Sequence, residues 1–419
     1  MSWLILVVFL AAIAVAMPIG HAMLAAALAA AAASDRVPVD VLVQQMVAQV
    51  QSFPLIAIPF FMLTGALMMS GKLGEALVGL LTRLVGRWSG GPAQVGVLSS
   101  TVFGGVSGSA VADASAIGSM LFPWHRRLGY PPAFSAATLA SASTISILIP
   151  PSIPMILYAV TANASIASLF LAGVVPGLML AAGLMVVCAW AGRVRGFPRA
   201  TLEGEHPSLR RDLLLSLPAL VLPLLIVLLL RFGIATPTEV AVLSTLYALL
   251  ASALIYRDLT WQRLREAIVE AGITTGVVLF VIMASAAIGW LLTFDQVPQS
   301  VVRWVSEHVQ SGWLVIVLMN LLMLFLGMFI DLPAAVLLLT PVFLPLAQSI
   351  GMDPIQLGVM MVVNLAIGLY TPPMGTTLFI ASSMARVSIG ATVRELLPFY
   401  AVAVAVLALV SFVPAVIVR

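Results

Sequence analysis

Charge is what this chain has least of. Lys, Arg, Asp and Glu together make up 8% of its 419 residues, against about 25% in a soluble globular domain. Hydrophobic residues make up 62% and the mean hydropathy is +1.15. That balance excludes a water-soluble fold, because the surplus apolar surface has to face lipid. In hydrocarbon every backbone polar group must be paired internally, so helices or a closed barrel are the only solutions. Apolar runs near 20 residues, rich in Leu and Ala, exclude the barrel, whose strands would be about 10 residues long and alternating. The fold class expected is an all-α polytopic membrane protein.

Other absences narrow the function. There is one cysteine, Cys188, in an apolar run; it cannot form an internal disulfide and reads as a buried, inert thiol. No Cys/His cluster is present to hold a metal, and no Gly-x-Ser-x-Gly elbow to carry a nucleophile. GALMMSGKL has the wrong spacing for a phosphate loop, and Lys72 is followed by Leu73. The chain therefore reads as no enzyme, and the energy for any transport has to come from an ion gradient or a partner. The N-terminus, MSWLILVVFL, lacks the basic stretch of a cleavable signal, so the first segment is expected to stay in the membrane. The net charge is +3, but the arginines sit in the few polar gaps. They read as topology signals and not as a nucleic-acid surface.

Apolar segments fall at 3–33, 53–70, 92–122, 131–161, 166–192, 213–231, 238–256, 271–294, 312–346, 355–385 and 390–418. The first is either one long tilted helix or a helix broken near Pro18 and Gly20. Segments 92–122 and 312–346 are too long for one span and are interrupted at mid-length by FGGVSGSA and GMFIDLPAA. Each is expected to be a re-entrant helical hairpin. Arginines cluster after the first hairpin (His125-Arg126-Arg127), near mid-chain (Arg193, Arg195, Arg199, Arg210, Arg211) and later (Arg257, Arg263, Arg265), whereas QSIGMDP after the second hairpin has none. By the positive-inside rule the hairpins enter from opposite sides.

The two halves also correspond. The offset that lays Pro150-Pro151 on Pro372-Pro373 lays Gly105 on Gly327, so a glycine tip precedes a double proline at the same spacing twice. This is the pattern of an inverted repeat. An amphipathic segment precedes each hairpin: Leu73, Leu77, Leu80, Leu81, Leu84 and Trp88 share one face in the first, and VPQSVVRWVSEH is its counterpart. Both are expected to lie near the membrane surface.

Inverted repeats with broken helices are a transporter pattern, with substrate and ion sites where half-helices meet. In GLYTPPMGTT, Pro372 and Pro373 remove two N–H donors, so upstream carbonyls are freed to face a cation. Gly368 and Gly375 allow the turn, and Thr371 adds a hydroxyl oxygen. At the first tip Ser107, Gly108 and Ser109 offer hydroxyls and close backbone approach, with Ser109 placed to cap the second arm. At the second, Asp331 reads either as a helix cap before Pro333 or as an intramembrane carboxylate used for ion or proton coupling. Asp113 is given a structural role at the positive end of its half-helix. Thr236-Pro237-Thr238-Glu239 matches a capping box. His125 reads as interfacial, and Trp190, Trp290 and Trp304 as interface anchors.

The stretches FGGVSGSAVADASAIGSM, ILIPPSIPMILY, LFLAGVVPGLML, TPTEVAV, GMFIDLPA and MVVNLAIGLYTPPMGTTLFIAS resemble, together and over essentially the whole chain, the large membrane subunit of the TRAP (tripartite ATP-independent periplasmic) transporters. The resemblance implies sodium-driven import of a small organic acid, a carboxylate or sugar acid, across the bacterial inner membrane by an elevator mechanism. It implies a small four-helix membrane subunit on a separate polypeptide and a periplasmic substrate-binding protein, Na+ as coupling ion, and no organic cofactor. Residues 92–162 and 312–386 would be the two halves of the transport domain. Residues 1–91, 163–311 and 387–419 would be scaffold and interfacial arms. One sodium site would use Ser107 with Ser146, Ile149 and Pro150; the other would use Gly327, Gly368, Thr371 and Met374. The substrate would meet Ser107, Gly108, Ser109, Asp331, Thr376 and Thr377. This chain departs from many members in having Ser143 and Ser146 where they have glycine. A stand-alone ion-coupled organic-anion permease is the alternative reading.

Overall fold

The computed structural model describes residues 2–34, 37–69, 72–200, 209–309 and 311–417. Met1, residues 35–36, Ser70 and Gly71 of GALMMSGKL, residues 201–208 of the mid-chain gap, Gln310 and residues 418–419 lie outside the described residues, as do the side chains of Arg210 and Arg211. Among the described residues all regular structure is helical, and six helices are long and apolar enough to cross a membrane. A seventh span is formed if Val39–Val50 and Phe53–Met69, bent by 57°, are one.

The first apolar segment is broken. Pro18 cannot continue a helix, and α1 (Ser2–Ala14) and α2 (Ile19–Ala32) fold against each other. Helix α3 (Val39–Val50) falls outside the apolar segments read from sequence because Gln44, Gln45 and Gln49 dilute it. After a 3₁₀ turn comes α4 (Ala57–Met69), then α5 (Lys72–Val85). In α5, Leu73, Leu77, Leu80 and Leu81 are buried as expected, but Leu84 is 51% and Trp88 56% exposed. The buried ridge follows the i, i+4 row through Leu77 and Leu81 to Val85, and the helix ends before Trp88.

The first hairpin is α6 (Gly91–Ser107) and α7 (Ala110–Arg127). Gly108 turns the tip at φ 61°, a left-handed conformation that favours glycine, and Ser109 Oγ caps α7 by accepting from Ala112 N. Next come α8 (Pro132–Ala142), a 3₁₀ turn over Ser143–Ile147, the Pro150-Pro151 break with its cis peptide bond, and α9 (Ile153–Ala162). Helices α10 (Ile166–Val194), α11 (Leu209–Arg231), α12 (Pro237–Leu250) and α13 (Trp261–Phe294) follow. The capping box at Thr236 and Glu239 that starts α12 is formed in both directions. Amphipathic α14 (Val297–His308) leads to the second hairpin, α15 (Gly312–Gly327) and α16 (Leu332–Ser349). Helices α17 (Pro354–Gly368) and α18 (Thr376–Ala385) flank the second double proline, also cis, and α19 (Ile389–Phe412) follows them.

His125 is not interfacial. It is 4% exposed, with Nδ1 2.9 Å from Ser135 Oγ and Nε2 3.1 Å from the Pro92 carbonyl. A carbonyl can only accept, so Nε2 carries the proton and Nδ1 accepts from Ser135. This is a satisfied core histidine, buried by residues distant in sequence. Cys188 is buried and free, as expected.

The interhelical hydrogen bonds fall into two sets. Thr245 Oγ1 bonds to Phe60 O, Arg263 to Leu67 O and Tyr247 to Pro218 O, tying α4, α11, α12 and α13 together. Asn364 Nδ2 donates to Asn320 Oδ1 at 2.8 Å, Asn320 to Ser411 at 3.1 Å, and Gln356 to the Val410 and Ser411 carbonyls, joining α15, α17 and α19. Tyr158 to Pro354 O, Ser382 to Thr392, Thr377 to Ala140 O and the Arg195–Glu395 ion pair bring α8, α9, α10 and α18 into this second set. Helix α6 packs on α8 and α10 of the second set, and where it meets the first set glycines allow close approach: a Cβ at Gly65 of α4 would lie 3.0 Å from Ser107 Cα, and one at Gly105 would lie 2.5 Å from Pro223 Cβ of α11. Asn320→Leu removes the side-chain acceptor of the fully buried Asn364 amide, which keeps its bond to the Asn320 carbonyl, and also removes the Asn320 to Ser411 bond; each lost bond costs about 0.5–1.5 kcal/mol. The unfolding midpoint in detergent should drop by several degrees, and an unchanged midpoint would show that the network adds no stability.

Candidate functional site

Each hairpin tip rests on the break of its own half. At the first, a Cβ on Gly104 would come within 2.5 Å of Ser146 Cα, and one on Gly108 would collide with the Pro151 carbonyl. At the second, a Cβ on Gly368 would overlap the Gly327 carbonyl, and Met374 N donates to Met328 O at 3.2 Å. Backbone therefore meets backbone with no side chain between them, which the glycines alone permit.

The tips and breaks surround a cavity of about 730 Å³. Four helices point their N-termini into its lining: α2 through Pro18 to His21, α7 through Ser109 to Val111, α9 through Ile153 and Pro154, and α16 through Leu332 to Ala334. The first turns of helices carry unpaired N–H groups and the positive end of the macrodipole, so four of them make an anion-favouring field. The rest of the wall is mainly apolar, including Met62, Ile147, Val277 and Phe280. His21 and Asp331 are the titratable side chains of the lining, and no lysine or arginine is among them.

The residues singled out from sequence are distributed as follows. Gly108, Ser109 and Asp331 line the cavity. Asp331 stands at the N-cap of α16 and its carboxyl lies at the cavity wall beside the Leu332 N–H. Ser107 lies behind the tip, 3% exposed. Thr377 is fully buried, with its hydroxyl on the Ala140 and Leu369 carbonyls; the Thr376 hydroxyl is buried without a partner, and neither residue is part of the lining. Gly327, Gly368, Thr371 and Met374 are gathered around the second break. There Thr371 N bonds to Gly368 O at 3.1 Å and its hydroxyl donates to Ile367 O at 2.6 Å, leaving its lone pairs available. Ser146, Ile149 and Pro150 are buried at the first break.

Two residues acquire a significance that the sequence did not give them. Asp113 is fully buried; Ser107 Oγ donates to its Oδ1 at 2.5 Å, and Oδ2 has no hydrogen-bond partner. Ser146 is the other hydroxyl acting on Asp113, yet its proton is directed to Ser143 O at 2.7 Å. Ser107, Ser146 and Asp113 thus gather several oxygens, and after the Ser107 hydroxyl has donated to Oδ1 the buried Oδ2 is left without a donor. A buried carboxylate oxygen without a donor, with hydroxyl oxygens beside it, fits a hard cation such as sodium. The sequence signal was the i, i+4 spacing from Ser109, which carries no hint of Ser146. The second residue is His21, whose ring packs on Phe280 at 4.8 Å. A histidine inside an apolar run was the available signal.

Two hairpins and two broken helices around a cavity inside a helical membrane bundle define a multi-pass transport protein. Residues 6–416 match the family described as the tripartite ATP-independent periplasmic transporter, DctM component, and the chain belongs to that family. It is an inner-membrane transporter and not an enzyme. It is 52% identical to uncharacterized protein y4mL of Sinorhizobium fredii over 99% of both chains. It is 38% identical to the C4-dicarboxylate TRAP transporter large permease protein DctM of Pseudomonas aeruginosa, over 87% of this chain and 86% of that one. In fold it is similar to the Alcanivorax borkumensis YdaH transporter (TM-score 0.61, 16% identity), over 89% of this chain and 88% of that one.

Proposed function

We propose that the chain is the large permease subunit of a binding-protein-dependent importer that carries a small carboxylate or sugar acid inward on a sodium gradient. The observation that carries this reading is the convergence of four helix N-termini on one cavity without a lysine or arginine. Backbone N–H groups hold a carboxylate there at little desolvation cost, and His21 adds a ring N–H. Sodium occupies two sites. The first is Ser107 and Asp113 with Ser146, Ile149 and Pro150; the second is Gly327, Gly368, Thr371 and Met374. Asp113 supplies the formal negative charge of the first, and the second relies on backbone and hydroxyl oxygens.

Transport is by an elevator. The two hydrogen-bonded sets are its two bodies, and the glycine-lined, apolar seam between them is where they slide. The bonds from Gln356 and Asn320 to α19, and from Arg195 of the α10 C-cap to Glu395, support moving α10 and 387–419 from the scaffold to the transport body. The scaffold is then α1–α4 with α11–α13, whose exposed apolar faces receive the small membrane subunit. A periplasmic binding protein delivers the acid.

The test is uptake of C4-dicarboxylates and sugar acids into proteoliposomes holding this chain and its small subunit. It is run with and without an inward sodium gradient and with and without the periplasmic protein encoded nearby. Uptake of one acid that needs all three components is expected. Uptake without the periplasmic protein would make the chain a stand-alone permease, and uptake indifferent to sodium would remove both ion sites.

A further inference from the structure

A second cleft, of about 470 Å³, lies away from the cavity just described. Its walls are the last turn of α7, the start of α8 and the end of α18, and Arg126 and Arg386 both line it. Both arginines are exposed. The described ion pairs are made by Arg83, Arg195 and Arg263, and neither Arg126 nor Arg386 is among the residues with a further interaction. Of the other polar groups of the lining, His125 and Ser135 are hydrogen-bonded to each other, whereas the buried Tyr130 hydroxyl has no hydrogen-bond partner. Its sides are the rings of Phe122 and Tyr130.

Arg386 is held there at a cost. It ends α18 at φ 58°, in the left-handed region, where a side chain is disfavoured by roughly 1–2 kcal/mol. Helix α9, which ends the first broken helix in the same way, uses Asn163 at φ 51°, a residue whose short polar side chain tolerates the conformation. Each arginine sits at its own helix C-terminus, Arg126 in the last turn of α7 and Arg386 at the C-cap of α18, where the macrodipole favours a cation by about 0.3–1 kcal/mol. That explains each arginine singly but supplies no counter-ion for the cleft that both of them line without an ion-pair partner. The N-terminus of α8 reaches the cleft through Pro132, which has no N–H, so it contributes only the positive end of its dipole.

We propose that this cleft binds a phosphate-bearing anion, bridged by Arg126 and Arg386. The source is either an anionic phospholipid headgroup, its glycerol region lying against Phe122 and Tyr130, or free phosphate. Guanidinium forks suit phosphate oxygens. The arginine-rich gap that follows α7 marks the cytoplasmic side, where anionic headgroups are concentrated and each basic residue gains about 1 kcal/mol near the surface. The anion ties the second arm of the first hairpin to the second half of the second broken helix. Occupancy therefore stiffens the body that carries both tips.

The experiment is thermal unfolding of the purified full chain in detergent with added phosphatidylglycerol, phosphatidylcholine or inorganic phosphate. Phosphatidylglycerol should raise the midpoint by several degrees and phosphatidylcholine should not, because a ligand stabilises the state that binds it. Arg126→Ala/Arg386→Ala should lose that shift, and Arg127→Ala, which is outside the cleft lining, should keep it. Arg126→Gln leaves the α18 cap untouched and should weaken the shift even if the double variant does not fold. A shift given equally by inorganic phosphate, and lost in the same variants, identifies free phosphate as the occupant. Equal stabilisation by phosphatidylcholine, or a phosphatidylglycerol shift that survives both Arg126 variants, would overturn the proposal. So would no response to either anion. None of these readouts depends on sodium or on the transported acid.

Discussion

Asp113→Asn should raise the sodium concentration for half-maximal uptake by about 10- to 100-fold, which corresponds to roughly 1.4–2.7 kcal/mol of lost ion binding. The substitution is nearly isosteric, so Ser107 Oγ can still donate to the side-chain carbonyl that replaces Oδ1 and the tip keeps its shape. What changes is Oδ2, the buried oxygen without a hydrogen-bond partner. In the amide that position either carries N–H protons, which repel a cation, or a neutral oxygen, which attracts it weakly. Hydrogen bonds to charged groups contribute about 1.5–3 kcal/mol, and the predicted shift is of the same size. Ser107→Ala should give a smaller change, because it removes a neutral ligand and leaves the carboxylate. The measurement is a sodium titration of uptake in proteoliposomes, with unfolding midpoints in detergent to confirm that both variants fold. An Asp113→Asn protein with unaltered sodium dependence would mean that the carboxyl carries a proton or only braces the tip.

The hairpins and double-proline breaks were legible in the sequence because their signals are local. Gly108-Ser109 and Asp331-Leu332-Pro333 interrupt apolar runs with residues that turn or cap a chain, and the breaks follow where proline removes donors. The capping box at Thr236 is local in the same way. What escaped depends on residues far apart in the chain. His125 looked like one of three cations, and its burial comes from Pro92 and Ser135. The role of Asp113 turns on Ser146, which reaches it through the docking of a hairpin on a break. The attachment of α19 rests on the Gln356 amide bonding to the Val410 and Ser411 carbonyls, and no pattern within 387–419 signals it. Leu84 and Trp88 mark a different limit. Helical periodicity places them on the apolar stripe, but which edge of the stripe packs is decided by the neighbouring helix.

Gly368→Ala should reduce uptake by at least about 100-fold, near 2.7 kcal/mol of lost function, while the protein still folds. The added methyl would overlap the Gly327 carbonyl and lie 3.0 Å from Gly327 Cα. Both atoms are backbone, so no side-chain rotation relieves the clash, and the second tip must lift from its break. That displacement separates Gly327 from Gly368 and Thr371 and stretches the Met374 to Met328 hydrogen bond, so the proposed second ion site loses its geometry. Overpacking of this kind costs about 1–3 kcal/mol, which a membrane bundle of this size survives. The control is Gly272→Ala on α13, where the methyl meets nothing within 4 Å. Alanine is intrinsically better than glycine in a helix interior by up to about 1 kcal/mol, so that variant should transport normally and be no less stable. Uptake and sodium dependence measured side by side separate the two cases. If Gly368→Ala transports like Gly272→Ala, tight backbone contact between tip and break is not needed for coupling, and the second ion site lies elsewhere.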